Sequence, residues 1–345
     1  MHEEVLASVM ANPSVVPTMA IWGWQIAVYL FLGGFTAGLM VFSGWAVLTK
    51  REERAPFAAT RAPLVAFIAL SLGMTTLFLD LSHKINVWRF YTTLHVTSPM
   101  SWGSWVLVLV FPALIIAALD GLPVGFPWLA GWLSGLPKVG GLVVVPLLRL
   151  CRWLRVPAAL LNIGLGMALG IYTGILLSGF NARPFWHSAL LGPLFLVSGL
   201  STGAAMMVLA SPKAEERHMF GRIDLALIMV ESIILGLYLA DMLNGDLVQR
   251  QAVGFLLGGA GSRVFWLGFV PLGLGVPLLL EAAMWRRTFL IPGALAALMV
   301  LSGGFLLRGI VIAGGQETGW VTLQNQFNPA LLGQLGAIPS PDPRF

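Results

Sequence analysis

The chain has 345 residues and a net charge of +5; 57% of its residues are hydrophobic and only 10% are charged. Mean hydropathy is +0.85. A soluble globular domain carries about 25% charged residues, so too little polar surface is left here to face water, and lipid is the expected solvent. The basic residues are scattered between apolar runs as loop anchors are, which argues against a nucleic-acid partner.

The apolar runs are unbroken and about twice as long as the roughly ten-residue alternating strands of a membrane barrel. Helices are therefore expected, because they satisfy every backbone polar group within the segment. The N-terminus has no Lys or Arg ahead of a long apolar run, so no cleavable signal peptide is expected. Crossing the hydrocarbon core takes about 20 residues, and eight runs qualify: 19–48, 62–82, 100–119, 156–180, 185–210, 222–243, 264–285 and 289–314. The fold class is thus an all-α membrane protein with eight transmembrane helices.

The first run places Gln25 and Tyr29 in its leading half, then a small-residue face, Gly34-Phe-Thr-Ala-Gly38. The second ends at Asp80, with His83 just beyond. His95 precedes the third, in Leu94-His-Val-Thr-Ser-Pro-Met-Ser-Trp-Gly-Ser-Trp105. The stretch 121–150 is rich in Gly and Pro and carries Trp128 and Trp132; it is expected to be interfacial, with 141–150 a candidate re-entrant piece. The fourth run has a stripe of Gly166, Gly170 and Gly174 that admits a neighbouring backbone or a flat ligand. It also holds Tyr172, roughly 16 Å deeper than its closing Arg183 at 1.5 Å per residue. The fifth repeats the small-residue face as Gly199-Leu-Ser-Thr-Gly203, which reads either as generic helix packing or as the mark of two parallel four-helix bundles. In the sixth, Asp224 and Glu231 share a face next to Arg222. They read either as a proton route toward the inside or as an end-of-helix ion pair plus one buried Glu. Arg308, in the eighth run, is expected to snorkel outward.

The loops after odd-numbered spans carry Lys50, Arg51, Arg54 and Arg61; Lys138, Arg149, Arg152 and Arg155; Lys213, Arg217 and Arg222; and Arg286 and Arg287. The opposite side has only Lys84, Arg89, Arg183, Arg250, Arg263 and Arg344. The positive-inside rule then puts both termini outside.

Polar groups at membrane depth mark function, and Gln25, Tyr29, Asp80, His83, His95, Tyr172 and Arg183 gather toward the outer side. A quinone fits them: an apolar tail, two ring oxygens that accept hydrogen bonds, and a need for carboxylate or imidazole groups to move protons. Bis-imidazole haem ligation would want histidines within spans, yet His2, His83, His95, His187 and His218 sit in loops or at span ends. A lone cysteine, Cys151, cannot build an iron–sulfur cluster. No haem, cluster or metal site is expected in this chain.

At these residues the sequence resembles the NrfD/PsrC family, the membrane subunits of polysulfide reductase-like complexes. The matching stretches are Trp24-Gln-Ile-Ala-Val-Tyr-Leu-Phe-Leu-Gly-Gly-Phe-Thr-Ala-Gly38, Trp88 through Trp105, Leu169-Gly-Ile-Tyr-Thr-Gly-Ile-Leu-Leu-Ser178 with Arg183-Pro-Phe-Trp-His187, and Ser198-Gly-Leu-Ser-Thr-Gly-Ala-Ala205. They cover spans 1 to 5; spans 6 to 8 match in character only. The resemblance implies two four-helix bundles, 1–182 with the interfacial loop 121–150 and 183–314, followed by an extracytoplasmic tail over 315–345. It implies a quinone site, for menaquinone or ubiquinone, near the outer face of the first bundle. The family's ring-contacting tyrosine falls on Tyr172, its pre-span histidine on His95 and its acidic residue on Asp80. Where a well-known member has a histidine on the span 1 face, this chain has Tyr29. An inward proton route is implied through Arg222. The implied partners are a four-cluster ferredoxin-like iron–sulfur subunit and, beyond it, a molybdopterin enzyme, a hydrogenase or a multihaem cytochrome. The implied location is the bacterial or archaeal inner membrane. The rival readings are a structural or proton-conducting subunit that no longer reacts with quinone, and a secondary transporter.

Overall fold

The computed structural model describes residues 22–81, 83–136, 140–180, 183–285 and 290–318. Eight of its helices are long and apolar enough to cross a membrane: α1 (Trp24–Leu48), α2 (Phe57–Asp80), α3 (Pro99–Gly125), α4 (Arg155–Ser178), α5 (Leu191–Ala210), α6 (Ala214–Asn244), α7 (Val264–Ala283) and α8 (Leu290–Glu317). No strand occurs among the described residues. Lys138, Arg286, Arg287, Arg344, His2 and the tail beyond 318 lie outside them.

Several boundaries depart from the apolar runs. Helix α6 starts at Ala214 rather than 222, because its first turn is polar; Glu215 and Glu216 there complement the positive helix start. Helix α3 continues past 119 to Gly125, so the connector 121–150 begins inside a helix. The rest of it holds the short helices Pro127–Ser134 and Val145–Trp153, which expose Trp128, Trp132 and Trp153. The segment 185–190 is not helical; α5 begins only at Leu191. A further helix, Leu247–Leu257, precedes α7 and is started by a capping box between Asp246 and Gln249. In α7 the stretch Val264–Gly275 is π-helical around Pro271, whose missing N–H the wider turn accommodates.

Helix α1 is the hub. It packs on α2, α4, α5 and α8, and 78% of its apolar stretch is buried against 33% for α2. Its approach to α5 is backbone against backbone. A methyl at Gly203 would sit 2.7 Å from Gly38 Cα, and one at Gly199 would sit 2.6 Å from the Gly34 carbonyl oxygen. The repeated small-residue faces therefore meet each other, α1 and α5 running in the same direction. The stripe on α4 serves the same end: Gly166 lies on the Ala37 carbonyl of α1 and Gly174 on the backbone of Leu191 and Gly192 in α5. Small residues let helices associate where lipid supplies no hydrophobic drive.

Connectors tie each end. On the basic face, the fully buried Glu216 accepts the backbone N–H groups of Phe57 (3.2 Å) and Ala58 (2.9 Å) and the Ser211 hydroxyl, capping the start of α2 from α6. Asp120 of α3 holds Arg152 (2.7 Å) and Arg155 (3.0 Å), and Arg155 reaches Glu52. On the opposite face, Trp22 exchanges backbone hydrogen bonds with the Gln316 side chain and stacks on Trp186.

Candidate functional site

The sequence contains four tyrosines, and three converge at the opposite-face end of α1–α4. Tyr172 of α4 is buried with its ring on Gly103 of α3, where a Cβ would overlap the phenol. Tyr29 of α1 is buried within electrostatic reach of both Tyr172 and Tyr91. Tyr91 lies in the short helix Arg89–Thr92 of the strap between α2 and α3, and burial pushes its hydroxyl above the ordinary tyrosine range.

The same strap walls an open cleft of about 500 Å³, lined by His83, Arg89, Phe90, His95, Met100 and Ser101 among others. Ser101 Oγ accepts the His95 backbone N–H at 3.0 Å and donates to the Thr93 carbonyl at 3.4 Å. Trp102 Nε1 donates to the Val96 carbonyl at 2.7 Å. These bonds fold the strap back onto the first turn of α3. Gly103 is only two residues beyond Ser101, about 3 Å along the helix, so Tyr172 lies at nearly the same depth as the cleft wall, and Tyr91 of the strap stands between Phe90 and Thr93 of its lining.

The sequence-predicted residues divide accordingly. His83 and His95 line the cleft; Tyr29 and Tyr172 do not line it, and Tyr29 is within electrostatic reach of Tyr91 in the strap that walls it. Asp80 is half-buried at the end of α2, next to the cleft-lining Leu81. Gln25 is half-buried in the first turn of α1. Arg183 is buried, donates to the Gln316 carbonyl at 3.3 Å and is not among the cleft's lining residues. Desolvation holds its guanidinium below the usual arginine range. Tyr91 and Gly103 are not among the sequence-predicted residues; the usable signal is the scarcity of tyrosine.

A second, ionic group sits among α1 and α5–α8. Arg308 corrects the snorkelling expectation. It is fully buried and donates to the carbonyls of Leu30 (3.3 Å), Phe195 (3.3 Å) and Gly304 (2.8 Å) and to Ser198 Oγ (2.9 Å). Gly34 leaves room for it, since a Cβ there would sit 2.5 Å from Nη2. The water beyond the end of α8 at Glu317 is nine residues away, about 14 Å, so the interior acceptors win. Buried Glu231 lies within reach of Ser198 and Arg308. Asp224, also buried, accepts the Ser201 hydroxyl at 2.5 Å. Arg222 makes no ion pair with it. Its guanidinium lies 4.6 Å over the Trp285 ring and donates to the Trp285 carbonyl. Glu281 of α7, which is not among the sequence-predicted residues, is buried within hydrogen-bonding reach of Asp224.

The NrfD polysulphide reductase family model matches residues 13–319. The chain belongs to this family. It is 32% identical over 317 residues to protein NrfD of Escherichia coli K12, covering 86% of this chain and 96% of the relative. It is 28% identical to a polysulfide reductase chain of Wolinella succinogenes, covering 86% and 94%. It is 26% identical to a tetrathionate reductase subunit of Salmonella typhimurium, covering 89% and 84%. Eight apolar helices and this membership make it a multi-pass membrane protein of the family.

Proposed function

We propose that this chain is the membrane subunit of a respiratory oxidoreductase complex, exchanging electrons between a membrane quinone and an iron–sulfur subunit on the face opposite the basic loops. The observation that carries the reading is the tyrosine cluster that adjoins the histidine-walled cleft through Tyr91 of the strap. A quinone ring needs donors for two carbonyl oxygens and a group that gives or takes protons. Tyr172 and Tyr29 supply hydroxyls from within the helices, His95 and His83 supply imidazoles at the rim, and Asp80 stands beside them. Phe90, Met100 and Leu81 offer apolar contact. Menaquinone and ubiquinone share this chemistry.

The names of the relatives, parts of polysulfide and tetrathionate reductases, support a place in a reductase complex. The chain itself supplies no cluster ligands beyond Cys151, so a four-cluster ferredoxin-like subunit is the expected electron partner. A molybdopterin enzyme, a hydrogenase or a multihaem cytochrome would stand beyond it. We read the eight helices as two four-helix groups, 1–182 and 183–314, with a tail over 315–345; α1 and α4 pack on α5 where the two groups meet. The basic loops support an inner-membrane orientation with both termini outside. Asp224, Glu231 and Arg222, with Asp80 at the other end, form the proposed proton route.

The test is a titration of the purified complex with a fluorescent quinol analogue, wild type beside Tyr172→Phe. Saturable quenching is expected in wild type, with affinity about tenfold weaker in the variant for one lost hydrogen bond of about 1.4 kcal/mol. No saturable binding in well-assembled wild type would overturn the quinone reading. It would leave the alternative that the buried acids of α6 and α7 favour, a structural or proton-conducting subunit.

A further inference from the structure

Asp224 and Glu281 are both buried, and their carboxyl groups lie within hydrogen-bonding reach of each other. Yet Asp224 Oδ2 and Glu281 Oε2 find no donor that carries a hydrogen. Buried polar atoms are paired as a rule, and each exception asks for an occupant. Two ionised carboxylates in contact in a low-dielectric interior repel, whereas one proton held between them gives both a partner.

Glu281 also lines a small cavity at the basic face, together with Val208, Arg217, His218, Arg222 and Trp285. His218 Nε2 lies 3.0 Å from the Trp285 carbonyl, and Arg222 donates to the same oxygen. The charged and titratable groups around the pair are therefore Arg217, His218 and Arg222 at the rim and Glu231 further along α6. The α8 residues on this cavity, Leu290, Gly293 and Ala294, are uncharged.

We propose that Glu281 and Asp224 form a proton-holding site that loads from the basic face through this cavity, with Glu281 as its entry group. The site rests on the proton-transfer part of the function proposed above. A metal cation fits it poorly. A hard cation takes about six oxygens, and here there are two carboxyl groups and the Ser201 hydroxyl, which already donates to Asp224. The basic rim disfavours a metal cation on its way in, and unlike a metal ion a proton can be relayed by exchange along hydrogen-bonded groups.

The experiment uses membrane vesicles containing the complex and a water-soluble carbodiimide, which adds to carboxyl groups that carry a proton and is located by peptide mass spectrometry. With the basic face outward, Glu281 is expected to be modified several-fold more than in vesicles of the opposite orientation. In Asp224→Asn the amide N–H₂ donates to Glu281 and favours its ionised form, so modification of Glu281 falls several-fold. In Ser201→Ala both carboxyls remain, and modification persists. Absence of the adduct from wild type, equal labelling from both faces, an unchanged adduct in Asp224→Asn or its loss in Ser201→Ala would each overturn the proposal. The adduct is read whether or not quinol binds, so a failed quinol titration would sink the proposed electron exchange and leave this site standing.

Discussion

The polar groups of α1–α4 and those among α5–α8 are solved in opposite ways. Near the opposite face, the buried and half-buried members of the first set are neutral hydroxyls, those of Tyr29, Tyr91 and Tyr172, adjoining an open cleft whose wall carries His83, His95 and Arg89. The second set is ionic and buried: Arg308 and Glu231 in the interior, Asp224 and Glu281 further toward the basic face, where Glu281 meets a small cavity. Neutral donors cost little to hold at membrane depth while waiting for a ligand. Buried charges are tolerated only when they are already satisfied. Arg308 meets that condition with four oxygen partners on three helices. The first region is therefore built to receive something, and the second to hold itself together and carry charge.

This contrast makes Arg308→Leu the most damaging single substitution. It strips a cation from Glu231 and a donor from three buried carbonyls at the junction of α1, α5 and α8. Breaking a buried pair from one side costs about 3–5 kcal/mol. Thermal denaturation of the detergent-purified complex should show a large fall in midpoint or no assembled complex at all. If Arg308→Leu assembled with unchanged stability, the second region could not be the structural keystone.

Gly103→Ala should have the opposite signature. The added methyl falls on the Tyr172 ring, so the phenol must move while the helices stay in place. Misplacing a positioning group by about 1 Å costs up to about a hundredfold in rate, and overpacking a single site costs about 1–3 kcal/mol. Assembly is expected to survive, with quinol-linked turnover down by about ten- to a hundredfold in a coupled dye-reduction assay. Wild-type turnover would mean that the position of Tyr172 is irrelevant to the chemistry.

The number of spans and their order were legible because an apolar run about 20 residues long has one economical solution in lipid. What hydropathy could not resolve was apolar burial against protein. Phe185 and Trp186 read as the start of a span, yet they form an irregular plug: Trp186 Nε1 donates to the Val311 carbonyl at 2.7 Å, and the ring rests on Gly315. Polarity misleads in the other direction at the start of α6, where Glu215 and Glu216 look like loop and are helix. In the candidate site, Tyr172, Tyr29, His83 and His95 could be picked out by depth and residue type. Tyr91 could not, because its place depends on how the strap folds back through Ser101. Glu281 and Arg308 were visible as charges, but their partners come from other helices, and no spacing within one span reveals them.

The smallest expected effect is that of Arg222→Lys, and it sharpens the same comparison from the basic face. Arg222 is exposed, stacks on Trp285 and donates twice to that residue's carbonyl, which His218 also approaches. Lysine keeps the positive charge at the cavity rim but loses the planar stacking and the forked donation. Exposed contacts of this kind contribute little, about 0–1 kcal/mol. If Arg222 acts through its charge at the mouth of the cavity, proton uptake by vesicles with the basic face outward should change by less than about twofold, since about 0.4 kcal/mol is already a factor of two. A loss far beyond that would show that the guanidinium itself takes part in transfer. The proton route would then run through Arg222 directly, as the family resemblance implies, and the ionic region would be less sealed than its buried carboxyls suggest.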